Sequence, residues 1–206
     1  MTGPVIHDCA QGSPEWFAAR IGLPTTSAFK DILAKGQGKT RRTYMLKLAG
    51  EIVTGQPAES YSNAAMDRGH VMEPEARSYY EFLTDAEVRQ VGFVTNGPKG
   101  CSPDGLIGES GMYEAKSKAP HILIEALLKD EFLPEHKAQC QGALWVCERE
   151  WIDLHCHWPG VPPFIKRAGR DEKYIAGLAA AVSAFNDELA ETVAKVRALG
   201  GQEMAA

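Results

Sequence analysis

Ser102-Pro103-Asp104-Gly105 and, one short hairpin later, Glu114-Ala115-Lys116 bring two carboxylates and an ammonium group together at strand spacing. In a β-strand the side chains at i and i+2 share a face, so Glu114 and Lys116 project together while Ala115 turns into the packing. Asp104 enters from the end of the adjacent strand. Hard oxygen donors of this kind suit Mg²⁺ or Mn²⁺, which keep waters and take phosphate oxygens in their remaining positions. The lysine can orient or help deprotonate an attacking water while the metal stabilises charge on a phosphate. A second Glu-x-Lys, Glu135-His136-Lys137, lies in a helical pattern with no Pro-Asp before it, and there its two side chains splay apart. The plainer reading of the first copy is a surface salt bridge from Glu114 to Lys116 or Lys118.

The elements that must position these groups can be read along the chain. Ser13-Pro14-Glu15-Trp16 predicts a cap, a proline at the first helical position, and a short helix ending near Gly22. Thr25-Thr26-Ser27 predicts the cap of a second helix with Phe29, Ile32 and Leu33, stopped by Gly36-Gln37-Gly38. A third helix runs from Arg41 to Val53, and a fourth starts at Asn63 and carries Met66, Met72, Ala76 and Tyr80, with Pro74 as a kink or restart. From Val88 the period changes to strand, turn, strand around Asn96-Gly97-Pro98-Lys99-Gly100. Leu106-Ile107, the turn at Gly108 to Gly111, and Met112 to Lys118 form the hairpin that makes Asp104 and Glu114 neighbours. Helices return at Ala119 to Lys129 and Pro134 to Cys147. Strands follow at Trp151 to Trp158 and Phe164 to Arg167, and a last helix runs from about Glu172 to Leu199. The expectation is one α/β domain over residues 1–206: helices within 13–84, a small mixed β-sheet within 87–168 flanked by helices, and a C-terminal helix over about 172–199.

Composition narrows the class without naming it. The chain has 206 residues, 44% hydrophobic and 24% charged, enough for a core that needs no disulfide or structural metal. Its five cysteines form no C-x-x-C pair and read as reduced, mostly buried thiols. No stretch approaches the ~18 apolar residues of a membrane span. Met1-Thr2-Gly3-Pro4 opens without a basic segment and apolar core, so a cytoplasmic protein is expected. The net charge of −5 does not advertise nucleic-acid binding, yet Lys30, Lys35, Lys39, Arg41, Arg42 and Lys47 cluster between Phe29 and Leu48 and could meet phosphates. A solvated helix face is the plainer account. No P-loop, dinucleotide fingerprint or Ser-His-Asp order is present.

Ser102-Pro103-Asp104 followed by Glu114-Ala115-Lys116 resembles the PD-(D/E)xK nuclease signature. Further blocks surround it in order: Trp16 to Gly22 with Thr25-Thr26-Ser27, then Arg68-Gly69 with Glu73 and Glu75-Ala76, then Ala138 to Gln141 with Leu144-Trp145-Val146, and Arg170 to Tyr174. Together, over about residues 13–180, they resemble the phage lambda exonuclease and YqaJ-like viral recombinase branch. The resemblance implies a Mg²⁺-dependent exonuclease, with two ions and with Mn²⁺ able to substitute. Its action would be to degrade one strand of duplex DNA from a 5′-phosphorylated end, 5′ to 3′. It further implies a ring-shaped homotrimer that hands single strand to an annealing protein, in a phage or prophage recombination system of a bacterial host. Residue by residue, Asp104 and Glu114 match the metal ligands, Lys116 the catalytic lysine, Glu73 the acidic residue bordering the metals and Gln139 the glutamine that helps hold the site. Arg20, Ser27 and Ser102 match a 5′-phosphate pocket, and Met66 an apolar wedge at the duplex fork. Two positions depart from the family pattern. Ala115 stands between Glu114 and Lys116 and can offer only its backbone carbonyl to a metal, and Gln37 replaces a basic residue, leaving Lys35 or Lys39 for that DNA contact.

Each residue also has a plainer reading. Glu73 and Arg77 at i,i+4 form an ordinary helix pair. Gln139 and Gln141 lie about 200° apart on a helix, so at most one faces the site. Met66 suits a core as well as a wedge. His155 and His157 share a strand face and could bind zinc, but no further ligands follow at metal spacing, and a packed or exposed pair is the better account. Two rival functions fit the same fold. An endonuclease would cut closed circles, and a non-catalytic DNA-binding or assembly module would not need the full acidic and lysine set.

Overall fold

The computed structural model describes residues 3–34, 39–58 and 64–203. The chain forms a mixed five-stranded sheet, a second three-stranded sheet, and helices on both faces. The first strand, β1 (Val5–His7), precedes α1 (Pro14–Arg20), whose N-cap Ser13 accepts the Trp16 amide. A 3-10 turn at Thr26–Ala28 leads into the one-turn helix α2 (Phe29–Ile32), followed by α3 (Lys39–Thr54) and α4 (Ala64–Thr84). Next come β2 (Val88–Arg89), β3 (Phe93–Thr95), β4 (Gly100–Cys101), β5 (Gly105–Ile107) and β6 (Gly111–Ser117). Helices α5 (Pro120–Lys129) and α6 (Lys137–Cys147) lie between β6 and β7 (Trp151–His157). The chain then passes through β8 (Phe164–Gly169) into α7 (Glu172–Glu203).

The main sheet has the order β2-β5-β6-β7-β8, and its single parallel pair is β6 with β7. Parallel neighbours cannot be joined by a tight turn, and α5 with α6 supplies the long crossover between them. Strand alternation divides the sheet. Leu106, Met112, Ile152, Leu154 and Cys156 enter the main core, with α6 and α7, while Val88 and Tyr113 join Tyr80 of α4 in a small cluster on the other face. Helix α6 seats close against the start of α2, because a Cβ on Gly142 would come 2.5 Å from the Phe29 ring.

The structure departs from the sequence expectations at four places. Strand β1 lies ahead of the helices expected from residue 13 onward, where no element is expected; it pairs with β3, so its signal lies in a partner far along the chain. Val88 and Phe93, expected in one strand, belong to different sheets, β2 with β5 and β3 with β1 and β4. Thr25 makes no side-chain cap, and its amide donates to the Tyr44 hydroxyl. Helix α4 runs through Pro74 without restarting. The five cysteines are free, four of them buried, as their spacing suggests. Among the described residues no helix is long and apolar enough to cross a membrane.

Candidate active site

The β5–β6 hairpin pairs Gly105 with Tyr113, which sets Asp104 at the strand end beside Glu114. The Ala115 amide donates to Asp104 Oδ2 at 2.7 Å, fixing the carboxylate across the hairpin. Glu114 is 2% exposed and points to the α6 face, where Lys116 Nζ and Gln139 Nε2 both donate to its Oε1, each at 2.5 Å. Of the two glutamines on α6, Gln139 faces the site. Gln141 turns away, donating to the Gly169 carbonyl and accepting the Asp171 amide. Glu73, paired with Arg77 at 3.6 Å, lines a cavity of about 370 Å³ with Asp104, Ala115 and Lys116. The plain helix pair and the site residue are therefore the same side chain.

The rival salt-bridge reading of Glu114 and Lys116 holds only in part. They are an ion pair, but Glu114 is buried rather than on the surface, and Lys118 pairs elsewhere, with Glu135 at 3.0 Å. Lys137 of the second Glu-x-Lys pairs with Asp171 at 2.8 Å, so that copy diverges as its helical register requires. Burial and the nearby Asp104 push the Glu114 carboxyl up to about 7, against the pull of Lys116. Burial alone would lower Lys116, but Glu114 and Asp104 outweigh it and hold the ammonium above its ordinary range. A positively charged Lys116 suits it to orient water or phosphate rather than to remove a proton. The half-buried His136 imidazole is held near 4, by its partial burial and then by Lys118 and Lys116.

Among the described residues no group of three or more His, Cys, Asp or Glu side chains is gathered tightly enough to hold a metal ion alone. The donor set nevertheless fits a hard cation. Asp104 and Glu114 are adjacent carboxylates, and Glu114 is raised in pKa by burial and then by its acidic neighbour. Mg²⁺ in particular is bound through one or two carboxylates, with water and substrate phosphate completing its shell. The Ala115 side chain packs against the Tyr80, Val88 and Tyr113 cluster, as its strand position requires. His155 and His157 are a packed pair: both are buried, and His155 Nδ1 meets the Tyr113 hydroxyl at 3.0 Å.

A larger groove of about 1250 Å³ adjoins this cavity, and Ser27 and Glu73 line both. Arg20 and Ser102 also line the groove, so the three residues matched to an end pocket come together. Arg20 stacks on the Trp16 ring, its guanidinium carbon 3.7 Å from the centroid, and burial lowers its pKa. The basic segment disperses. Arg41 forms a two-pronged pair with Glu188 at 2.7 and 2.8 Å that docks α3 on α7, Lys47 lines the groove, and Lys39 is exposed at the start of α3. Lys35 and Gln37 lie outside the described residues, and so does the side chain of Met66. Sequence reasoning passed over Trp16 as more than a helix position and His157 as a cavity wall; the Trp16-x-x-x-Arg20 spacing was the available signal for the first.

A model of the YqaJ-like viral recombinase domain matches residues 15–150, and the chain belongs to that family. It is accordingly a DNA exonuclease, a phosphodiester hydrolase. LHK-Exo, an alkaline exonuclease from Laribacter hongkongensis, is 32% identical, with a TM-score of 0.83 over 92% of this chain and 99% of that chain. Its structure in complex with dAMP gives 33% identity and a TM-score of 0.85 over the same shares. A phage-related exonuclease from Haemophilus somnus 129PT shares the fold, with a TM-score of 0.66 at 12% identity over 84% of this chain and 96% of that one. No curated protein matches.

Proposed function

We propose that this exonuclease is divalent-metal-dependent, with Mg²⁺ as the working ion, and degrades one strand of duplex DNA from a 5′-phosphorylated end in the 5′ to 3′ direction. The observation that carries the reading is the meeting of two cavities at Ser27 and Glu73: one is lined by Asp104 and by Lys116, which holds the buried Glu114 behind it, and the other by Arg20 and Ser102. The alkaline exonuclease relative solved in complex with dAMP supports a deoxynucleotide as the class of ligand. Asp104 and Glu114 hold the ions, two in number, and Mn²⁺ substitutes. When bound, the ions stabilise charge on the phosphate oxygens and acidify the attacking water. Lys116 orients that water or a phosphate oxygen, Gln139 fixes the Glu114 carboxylate, and Glu73 closes the acidic wall. Arg20, Ser27 and Ser102 grip the terminal phosphate, and each cut leaves a new 5′-phosphate for the same grip.

We further place the chain, on family grounds, in a ring-shaped homotrimer that supplies single strand to an annealing protein, in the cytoplasm of a bacterial host of a phage or prophage. Lys39 and Lys35 serve the duplex approach, and Met66 the fork. Linear duplex labelled at either end, incubated with and without Mg²⁺, tests the core of the reading. Release from the 5′-labelled end alone, with closed circles left intact, is expected; cutting of circles would make it an endonuclease, and no product a binding module. Lys116→Ala is expected to lose hydrolysis while still binding DNA in a metal-dependent way.

A further inference from the structure

We propose that Trp16 is a positioning residue that sets the Arg20 guanidinium and the Ser102 hydroxyl into one phosphate-gripping fork, and ties that fork to the loop carrying Asp104. The inference rests on the reading of the larger groove as the pocket for a DNA 5′-phosphate. Trp16 and Arg20 stand i,i+4 on α1 and share a face of the helix. The guanidinium lies over the indole at 3.7 Å, so its flat face is covered and its in-plane N–H edge is left for a ligand. Glu51 is the carboxylate whose charge bears on it, but its two oxygens accept the Gly22 and Ala58 amides at 2.9 and 3.1 Å. Arg20 has no ion-pair partner among the described residues. A phosphate is the kind of group that matches such an edge.

The other end of the ring does a different job. An indole N–H can only donate. Trp16 Nε1 lies 3.0 Å from Ser102 Oγ and 3.1 Å from the Gly92 carbonyl, so Ser102 is the acceptor and its own O–H remains free to donate to a further oxygen. The Gly92 carbonyl is itself fixed, because residue 92 is pressed against Cys9 so closely that a Cβ would meet the Cys9 carbonyl at 2.1 Å. Each residue of the following loop is then held: Ser102 by Trp16, the Pro103 carbonyl by Gln11 Nε2 at 3.1 Å, and Asp104 by the Ala115 amide. One indole thus joins the cation that would attract the terminal phosphate to the loop that presents a catalytic carboxylate.

The test is the ratio of initial rates on duplex with a 5′-phosphate and with a 5′-hydroxyl, measured for wild type, Arg20→Ala, Trp16→Leu, Trp16→Phe and Ser102→Ala. A general loss of folding or chemistry slows both substrates alike and leaves the ratio unchanged. The wild-type ratio should be about tenfold to a hundredfold. Arg20→Ala and Trp16→Leu should both bring it close to one. Trp16→Phe, which keeps a ring under Arg20 but lacks the N–H, should fall between, and adding Ser102→Ala to it should lower the ratio by less than Ser102→Ala does in the wild-type background, because part of each loss is the same bond. A normal ratio in Trp16→Leu beside a collapsed one in Arg20→Ala would overturn the positioning role and leave the end pocket standing. A ratio retained in Arg20→Ala would overturn the pocket itself. Should Trp16→Leu fail to fold, additive losses from Trp16→Phe and Ser102→Ala would refute the shared bond.

Discussion

Glu114 and Asp153 are carboxylates on neighbouring strands, 2% and 3% exposed, one register step apart and on opposite faces of the sheet. Asp153 is compensated on every side. Arg167 donates to both its oxygens at 2.8 Å, and the Tyr80 hydroxyl donates at 2.6 Å. Its partners register the bond: burial and Asp153 raise the Tyr80 hydroxyl, and Asp153 raises Arg167. Glu114 has one cation, Lys116, against the acidic influence of both Asp104 and Glu73. Burial is therefore equal and partnership is not. A carboxylate matched to its neighbours holds a fold together, whereas one left short of positive charge is ready to take a cation that arrives with the substrate.

The sharpest way to break the comparison is to neutralise each carboxylate without changing its shape. Glu114→Gln should lower the rate on linear duplex by about a hundredfold to ten-thousandfold, and its urea midpoint should stay at or above that of wild type. A rate within a few-fold of wild type would remove Glu114 from the chemistry. The next effect appears in stability against pH. Burial, with His157, holds His155 near 4 against an ordinary 6.5. Between those values the unfolded chain binds a proton that the folded chain refuses, so the stability present above pH 6.5 is lost as pH falls toward 4, by roughly 3 kcal/mol at most. His136 acts in the same direction. Glu114, raised to about 7, acts in the opposite one, its contribution fading as pH rises from 4.5 through 7. Wild type should thus show a muted slope, Glu114→Gln a steeper one and His155→Asn a flatter one, in urea unfolding from pH 4 to 7. Equal slopes in all three would contradict the assignment. Asp153→Asn completes the set: it should cost about 1–3 kcal/mol by leaving the Tyr80 and Arg167 donors without their charged acceptor, while the Mg²⁺-dependent rate of the protein still folded stays near wild type.

What the sequence disclosed follows the same division. Asp104, Glu114 and Lys116 were legible because two-residue strand spacing and a tight hairpin are local facts, and the structure keeps both. The triad of Tyr80, Asp153 and Arg167 was not, since it exists only when α4 lies across β6 and β7 and β8 pairs with β7, and nothing in the spacing of those residues announces that packing. Strand β1 was hidden for the same reason: three residues are too few for an alternation to stand out, and their partner is β3. The basic run from Lys30 to Lys47 was visible as charge but not as contact. The bond from Arg41 to Glu188 depends on how α3 meets α7, which charge counting does not reveal.

Gln139 and Gln141 repeat the comparison at its smallest scale. Helical geometry separates them by about 200° and says nothing about which one faces the strands. The structure gives Gln139 to Glu114, and Gln141 to the backbone where β8 runs into α7. The amide of Gln139 holds an already buried carboxylate oxygen in place, and its loss leaves Lys116 still bonded to that oxygen. Gln141 is 4% exposed and satisfies one carbonyl and one amide that have little access to water. Gln139→Ala should therefore slow hydrolysis by about fivefold to tenfold, the worth of one hydrogen bond to a charged group shared with a second donor, with unfolding barely moved. Gln141→Ala should do the reverse, costing about 1–2 kcal/mol of stability for two orphaned backbone groups and leaving the rate of the folded enzyme close to wild type. Rate and urea midpoint measured on both variants decide the matter, because a slow but stable Gln141→Ala together with an active but unstable Gln139→Ala would mean that α6 is turned the other way against β6.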